Sequence, residues 1–370
     1  MKIGIITFQN AHNYGAQLQL FALKKYLMTL GYEVNVINYI NKEIEKSYLK
    51  NPKNNIKVGG FRSGKKWLIK QVNLLYGLRS YKTKWNRFND FIINNITNEE
   101  KKYSKNEIDF SQYDYVICGS DQIWNPTLTN GFDDVYFANF KSNALKISYA
   151  ASIGKSSFND EEEKTFKELL KNFDIISVRE KKLEEYIKEI TTCEVQTVVD
   201  PTLLLDSADY AIFLKDVPYK KYILQYTLID DPKLDAIVEK MALKNNLKIV
   251  ELRYEKNLFR KNRIQVADAG ISEFLSLIKN AEMVITNSFH GTIFSILFEK
   301  NFYTVKIAEV NSRIENLLNI CDLNNRCINS EEGFDNSQTI KYDAVFEKLK
   351  SESKKSKEFL KAALNERKKS

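Results

Sequence analysis

The chain of 370 residues, 43% hydrophobic and 12% aromatic, exceeds one hydrophobic core and is too apolar for disorder, so two domains are expected. Its net charge of +8 is unevenly placed: from Lys42 to Arg87, thirteen Lys and Arg face only Glu43 and Glu45, a local excess of +11 that leaves the remainder at about −3. No apolar run reaches the ~18 residues of a membrane span, while four scattered cysteines and two histidines make a poor metal set and fit a reducing cytoplasm.

The opening MKIGIITFQN reads as a strand, Lys2–Phe8, because its apolar stretch is too short for a signal peptide. Gln17–Leu30 is then predicted as a helix closed by Gly31, and Tyr32–Tyr39 as a second strand. In the basic segment Trp67, Leu74, Leu78, Tyr81, Trp85, Phe88 and Ile92 recur at mainly three- and four-residue steps, the pattern of an amphipathic helix. Its simplest reading is a helix packed on its own domain with a solvated basic face. The competing reading is a surface for anionic membrane lipid or a lipid phosphate, and nucleic acid is disfavoured because no reading motif accompanies the charge.

Strands follow at Tyr113–Gly119, Lys146–Ala151, Ile175–Val178 and Val195–Asp200, with helices at Asp160–Asn172 and Lys181–Ile190. After Asp200-Pro201 a fresh series begins, with strands at Tyr222–Thr227, Lys248–Leu252, Ile264–Val266, Met283–Thr286 and Phe302–Lys306. Helices at Pro232–Asn245, Ser272–Asn280 and Thr292–Lys300 separate most of them. This alternation, twice over, implies two doubly wound α/β domains with parallel sheets. The expected organisation is 1–200, carrying a basic helical insertion at 41–110, then 201–342, then a helical tail at 343–370.

In such sheets ligands collect where strands end and helices begin. Met283–Thr286 leads into Asn287-Ser-Phe-His-Gly291, where Asn287 or Ser288 could cap the next helix and free N–H groups could hold an anion beside His290. The plainer alternative is a histidine bonded to a loop carbonyl. The first strand ends in a loop containing His12, Asn13, Tyr14 and Gly15, where glycine permits close backbone approach and His12 reads as a surface residue. A third loop supplies Asp121, Gln122 and Trp124, and a fourth carries Arg179, for which an ion pair with a neighbouring carboxylate is the simpler reading.

Seven phrases, NYGAQLQLFAL at Asn13, VICGSDQIWNP at Val116, SYAASIG at Ser148, SVRE at Ser177, VVDPTLLL at Val198, TNSFHGTIFSILF at Thr286 and NSRIENLL at Asn311, together resemble the polysaccharide pyruvyl transferase family. The resemblance extends over residues 1 to about 330, outside the basic insertion and the tail. It implies two Rossmann-like domains facing a cleft, of glycosyltransferase-B type, with the first on the acceptor side and the second on the donor side. The implied activity is transfer of pyruvate from phosphoenolpyruvate to two hydroxyls of a sugar, forming a cyclic ketal in cell-surface glycan synthesis.

For that chemistry the resemblance implies His290 as the proton donor, since imidazole ordinarily titrates near ~6.5, and Asp121 as the group that orients or deprotonates the acceptor. Arg179, Arg313, Ser288, Gly291, Thr292 and Lys306 are the expected donor-binding residues, and Asn13, Tyr14, Gly15, Gln122 and Trp124 the acceptor-binding ones. Guanidinium forks suit phosphate and carboxylate. Many members carry an arginine between the serine and the histidine where this chain has Phe289, so one anion contact must come from elsewhere. No metal and no cofactor are expected, only phosphoenolpyruvate as donor and a saccharide acceptor, lipid-linked if the basic segment meets a membrane. A nucleotide-sugar glycosyltransferase of the same fold, or a catalytically silent glycan-binding protein, remain the alternatives.

Overall fold

The computed structural model describes residues 1–48, 64–155, 157–228, 230–305, 312–328 and 339–366, without the side chains of 46–48, 64–76 and 312. In chain order it contains β1 (Lys2–Ile6), α1 (Tyr14–Thr29), β2 (Glu33–Val36), α2 (Lys42–Tyr48), α3 (Gly64–Phe91), β3 (Tyr115–Cys118), α4 (Pro126–Thr129), β4 (Leu145–Ala151), α5 (Asp160–Leu170), β5 (Ile175–Val178), α6 (Lys181–Ile190) and β6 (Val195–Thr197). The second half contains α7 (Ser207–Ala211), β7 (Tyr222–Tyr226), α8 (Pro232–Lys244), β8 (Lys248–Leu252), β9 (Ile264–Val266), α9 (Ile271–Asn280), β10 (Met283–Thr286), α10 (Phe289–Leu297), β11 (Asn301–Val305), α11 (Ser312–Ile320), β12 (Cys327–Ile328) and α12 (Tyr342–Asn365).

The strands form two six-stranded sheets, ordered β2-β1-β3-β4-β5-β6 and β12-β11-β10-β7-β8-β9, and every neighbouring pair is parallel. These are the two Rossmann-like domains expected. Strands such as Tyr115–Cys118 and Met283–Thr286 are buried throughout rather than alternating, because helices cover both faces of a parallel sheet. Local signals fix the helices between them: Asn159 and Glu162 form a capping box for α5, and Asp231 caps α8 ahead of Pro232.

The compact units do not follow the chain as simply as expected. The first takes Met1–Leu49, Ile92–Leu205 and Glu347–Ser370, and the second Lys50–Phe91 and Asp206–Phe346. The insertion, expected with the first domain, therefore gives its long helix to the second. The Arg87 guanidinium on α3 donates to the Asp268 carbonyl at 2.8 Å and pairs with Glu273 at 3.4 Å, and Phe91 meets Phe213 edge-on. The tail is likewise no separate body: Leu360 and Leu364 are buried, the Tyr115 hydroxyl donates to the Leu364 carbonyl at 2.6 Å, and the Val199 N–H donates to Ser356 Oγ at 3.0 Å.

In each sheet one crevice marks the point where strand order reverses, between β1 and β3 in the first and between β7 and β10 in the second. Doubly wound sheets bind their ligands at the carboxyl ends of such strands.

Candidate functional site

At the second reversal point, Ser288 is the N-cap of α10 and its Oγ accepts from the Gly291 N–H at 3.3 Å. The cap was legible in the sequence, but the helix begins at Phe289, three residues before the predicted Thr292. His290 accordingly occupies the first helical turn, half-buried, rather than a loop. Its ring stands edge-on to that of Phe289, with centroids 5.2 Å apart. The Arg313 guanidinium lies 5.7 Å from the centre of the same Phe289 ring. A cation thus sits beside the position at which an arginine is missing from the phrase. Lys306, expected as a further donor-site cation, lies outside the described residues.

Gly291 and Thr292 require correction as phosphate-holding groups. The Gly291 N–H is engaged by Ser288 Oγ and the Thr292 N–H by the Ser288 carbonyl at 2.9 Å, while the Thr292 hydroxyl donates to that carbonyl and meets Thr304 Oγ1, both at 3.0 Å. Gly291 is needed for packing instead, since a Cβ there would stand 2.5 Å from Thr286 Oγ1 and 3.0 Å from the Tyr226 ring. Around the same turn the Thr286 hydroxyl donates to the Tyr226 carbonyl at 2.6 Å and accepts from the Ser288 N–H at 3.0 Å, and Asn287 Oδ1 accepts from the Leu228 N–H at 2.8 Å. The turn is therefore held from beneath by β7, and helix polarity still favours an anion at its start.

At the first reversal point the β1 and β3 loops are joined directly, for the Thr7 hydroxyl donates to the Ser120 carbonyl at 2.7 Å. Helix α1 opens at Tyr14, so Tyr14 and Gly15 belong to its first turn, and both are buried. Asn13 caps it by accepting from the Ala16 N–H at 3.1 Å, while Gln17 Nε2 donates to the Gln9 and Ala11 carbonyls, each at 2.8 Å. Buried as it is, Tyr14 is corrected from acceptor-binding residue to core residue, and His12 is also buried rather than on the surface.

Trp124 is likewise corrected. It is 0% exposed, stacks on Phe137 with centroids 5.4 Å apart, meets Phe166 and Phe173, and donates its indole N–H to the Tyr136 carbonyl at 3.1 Å. A tryptophan with its one polar atom satisfied and its ring in an aromatic cluster is core material. Gln122 is half-buried, its Oε1 accepting from Asn125 Nδ2 at 3.0 Å.

Asp121 stands at the centre of a different constellation. Its backbone takes φ of 83°, a region L-residues seldom occupy and one associated with functional sites. Oδ1 accepts from the Gln122 N–H at 2.8 Å and lies 4.0 Å from Arg179, and among the described residues no hydrogen bond reaches Oδ2. Arg179, 4% exposed, donates to Asp200 Oδ2 at 3.0 Å and faces Glu180 at 3.5 Å. Burial opposes its charge, but Glu180, Asp200 and Asp121 together hold the guanidinium above its ordinary pKa. Expected as a donor-binding group, Arg179 is instead engaged by three carboxylates, the simpler reading of the sequence. Glu180 and Asp200 were missed as members of this site, although the phrases SVRE and VVDP contain them. Glu180 also accepts from the Ser152 hydroxyl at 2.9 Å, and Asp200 Oδ1 from the Thr202 N–H and hydroxyl, so four of the seven phrases converge on one buried ion cluster.

Of the basic segment, the side chains between residues 46 and 76 lie outside the described ones, and with them most of the proposed lipid surface. Of the described cations, Lys42, Arg79 and Lys82 are exposed, as a solvated basic face requires, whereas Lys84 is 5% exposed and Arg87 is ion-paired. No helix among the described residues is long and apolar enough to cross a membrane, and none of their His, Cys, Asp and Glu residues group in threes that could hold a metal.

Two Rossmann-like units with parallel sheets, and polar loops where their strands end, define an α/β protein. This chain belongs to the polysaccharide pyruvyl transferase family, a family of transferases, whose sequence model matches residues 13–307. No curated protein matches the sequence. Among solved structures it is similar to a UDP-GlcNAc 2-epimerase from Methanocaldococcus jannaschii, at 11% identity over 95% of this chain and 92% of that one, with a TM-score of 0.46. It is also similar to UDP-GlcNAc 2-epimerase from Neisseria meningitidis bound to UDP-GlcNAc, at 10% identity, 98% and 94% coverage and a TM-score of 0.48. The glycosyltransferase SnogD from Streptomyces nogalater matches at 11% identity, 98% and 99% coverage and a TM-score of 0.45.

Proposed function

We propose that the chain transfers pyruvate from phosphoenolpyruvate to two hydroxyls of a saccharide, forming a cyclic ketal during surface-glycan synthesis in the cytoplasm. The observation that carries this reading is His290 in the first turn of α10, at the reversal point of the second sheet, with the Arg313 cation on the adjoining Phe289 ring.

The chemistry begins with His290 giving its proton to the methylene carbon of the enol phosphate, which leaves the neighbouring carbon electrophilic. One sugar hydroxyl adds there and loses its proton. A second hydroxyl then takes the place of phosphate, which departs with the C–O bonding pair and takes up this hydroxyl's proton, while the first hydroxyl's proton replaces the one His290 gave, so one donor and two hydroxyls yield one ketal and inorganic phosphate. Arg313 supplies a fork for the donor's carboxylate or phosphate. Asp121, whose Oδ2 takes no hydrogen bond among the described residues, takes the role of orienting or deprotonating the acceptor hydroxyl. No cofactor is invoked, and a lipid-linked acceptor would match the charge of the insertion.

Thermal unfolding with phosphoenolpyruvate, compared with UDP- and ADP-sugars, tests the reading. Donor at 100 times its dissociation constant adds ~2.7 kcal/mol of stability. Stabilisation by a nucleotide sugar alone, with no phosphate released from phosphoenolpyruvate in the presence of saccharides, would overturn it.

A further inference from the structure

The insertion helix α3 delivers one lysine to an unusual place. Lys84 is 5% exposed, and its Nζ stands 3.7 Å from the centre of the Tyr254 ring and 5.9 Å from that of Phe88. A desolvated ammonium over an aromatic face is held tightly in position by the ring quadrupole. Tyr254, just beyond β8, is itself buried, and its hydroxyl hydrogen-bonds that of Tyr226 at the end of β7. Tyr226 supports the donor turn, because its carbonyl accepts from Thr286 Oγ1 and its ring, with that hydroxyl, borders the space where a Gly291 Cβ would be. Gly291 follows His290 directly. Every contact in this series lies within the second compact unit.

We propose that Lys84 is a positioning residue for His290, acting through Tyr254 and Tyr226 on the turn that opens α10, so that the insertion helix sets the geometry of the donor site. Burial draws the Lys84 ammonium down to about 7, against the pull of the Glu255 charge, and pushes Tyr254 up to about 12. Burial thus disfavours the charged form, and what favours it here is the Glu255 charge and the face of the Tyr254 ring. Without it the Tyr254 ring loses the cation on its face, and the hydroxyl bond to Tyr226 passes the shift to the ring that packs beside Gly291.

The kinetic part of this inference rests on the reading of His290 as the proton donor, but the structural part does not. The full chain has two histidines, so 13C-labelled histidine gives two imidazole signals, and His290→Gln assigns them. Lys84→Met and Tyr254→Phe are expected to move the His290 signal and leave that of His12 in place, with Lys84→Arg returning it most of the way. Tyr254→Phe keeps the ring and removes only the hydroxyl, so it decides the matter even if Lys84→Met folds poorly. In phosphate release from phosphoenolpyruvate, kcat should fall roughly 10- to 100-fold in both variants, the scale of a small misplacement of a reacting group, with KM for the donor much less affected. An unmoved His290 signal in Tyr254→Phe and in folded Lys84→Met overturns the proposal. A moved signal in a protein whose wild type releases no phosphate overturns the pyruvyl-transfer reading and leaves the positioning role standing.

Discussion

Arg313 lies with its guanidinium carbon 5.7 Å from the centre of the Phe289 ring, beside the residue that precedes His290. The negative face of the ring attracts the guanidinium and holds it beside the start of α10. Arg313→Ala is expected to weaken phosphoenolpyruvate binding by about 1.5–3 kcal/mol, the scale of a hydrogen bond to a charged group. Arg313→Lys should recover only part of this, since a point charge cannot reproduce the fork. Titration calorimetry with the donor checks both, and unchanged affinity in the alanine variant removes Arg313 from the site.

Arg179 should behave in the opposite way. Its guanidinium bonds Asp200 at 3.0 Å, with Glu180 and Asp121 beside it, and only 4% of the residue is exposed. Arg179→Ala leaves buried carboxylates without their counter-charge and should cost about 3–5 kcal/mol of stability. Denaturant unfolding measures this. Donor affinity of the fraction that remains folded should stay near wild type, and a selective loss of donor binding without loss of stability would restore Arg179 to the donor site.

The sheets were legible because parallel strands buried on both faces are short apolar runs, and Met283–Thr286 or Ile175–Val178 can scarcely be read otherwise. Helices α1 and α10 start three residues before the sequence predicts, because Asn13 and Ser288 cap helices whose first turns contain glycine, a residue that reads as loop. Which unit α3 joins was not legible at all: that is decided by Arg87 meeting Asp268 and Glu273 far along the chain. Trp124 misled because a tryptophan in a polar phrase looks available to a sugar, and only tertiary structure shows its ring among Phe137, Phe166 and Phe173. Trp124→Ala should therefore cost about 3–5 kcal/mol in stability, whereas Trp124→Phe should unfold earlier than wild type yet show an unchanged KM for the saccharide. A raised acceptor KM in the folded phenylalanine variant would return Trp124 to the acceptor surface.

Lys84 also makes stability depend on pH. Its folded value of about 7 lies below the ~10.4 of a solvated lysine, so between these limits the unfolded chain binds a proton that the folded chain lacks. The penalty is full below about pH 7 and gone above about pH 10.4, and stability contributed by this group therefore rises with pH across that window, by at most ~1.36 kcal/mol per unit. Groups that favour the ammonium, the Glu255 charge and the Tyr254 ring, narrow this window from its lower end and leave the slope within it unchanged. Lys84→Met should gain stability relative to wild type at pH 7 and lose that advantage towards pH 10. Denaturant midpoints across this range give the answer, and a pH-independent difference would show that Lys84 keeps an ordinary lysine value.

His290 carries the chemical prediction. It lies in the first turn of α10, on a residue held by the Ser288 cap and by Gly291 packed onto Thr286 and Tyr226, so its backbone is fixed while its half-buried ring contributes little to the core. His290→Ala and His290→Gln are accordingly expected to fold with near wild-type midpoints. Loss of a general acid should lower turnover about 100- to 10,000-fold. Donor affinity should fall much less, because Arg313 and the polarity of the helix start remain, and a change in kcat larger than that in binding is the mark of an interaction made in the transition state. Turnover in heavy water should place one deuterium in the methyl group of the ketal in the wild type, which identifies the protonation step itself. Turnover of the alanine variant close to wild type, with the same deuterium content, would exclude His290 as the acid and pass that role to a residue elsewhere in the protein.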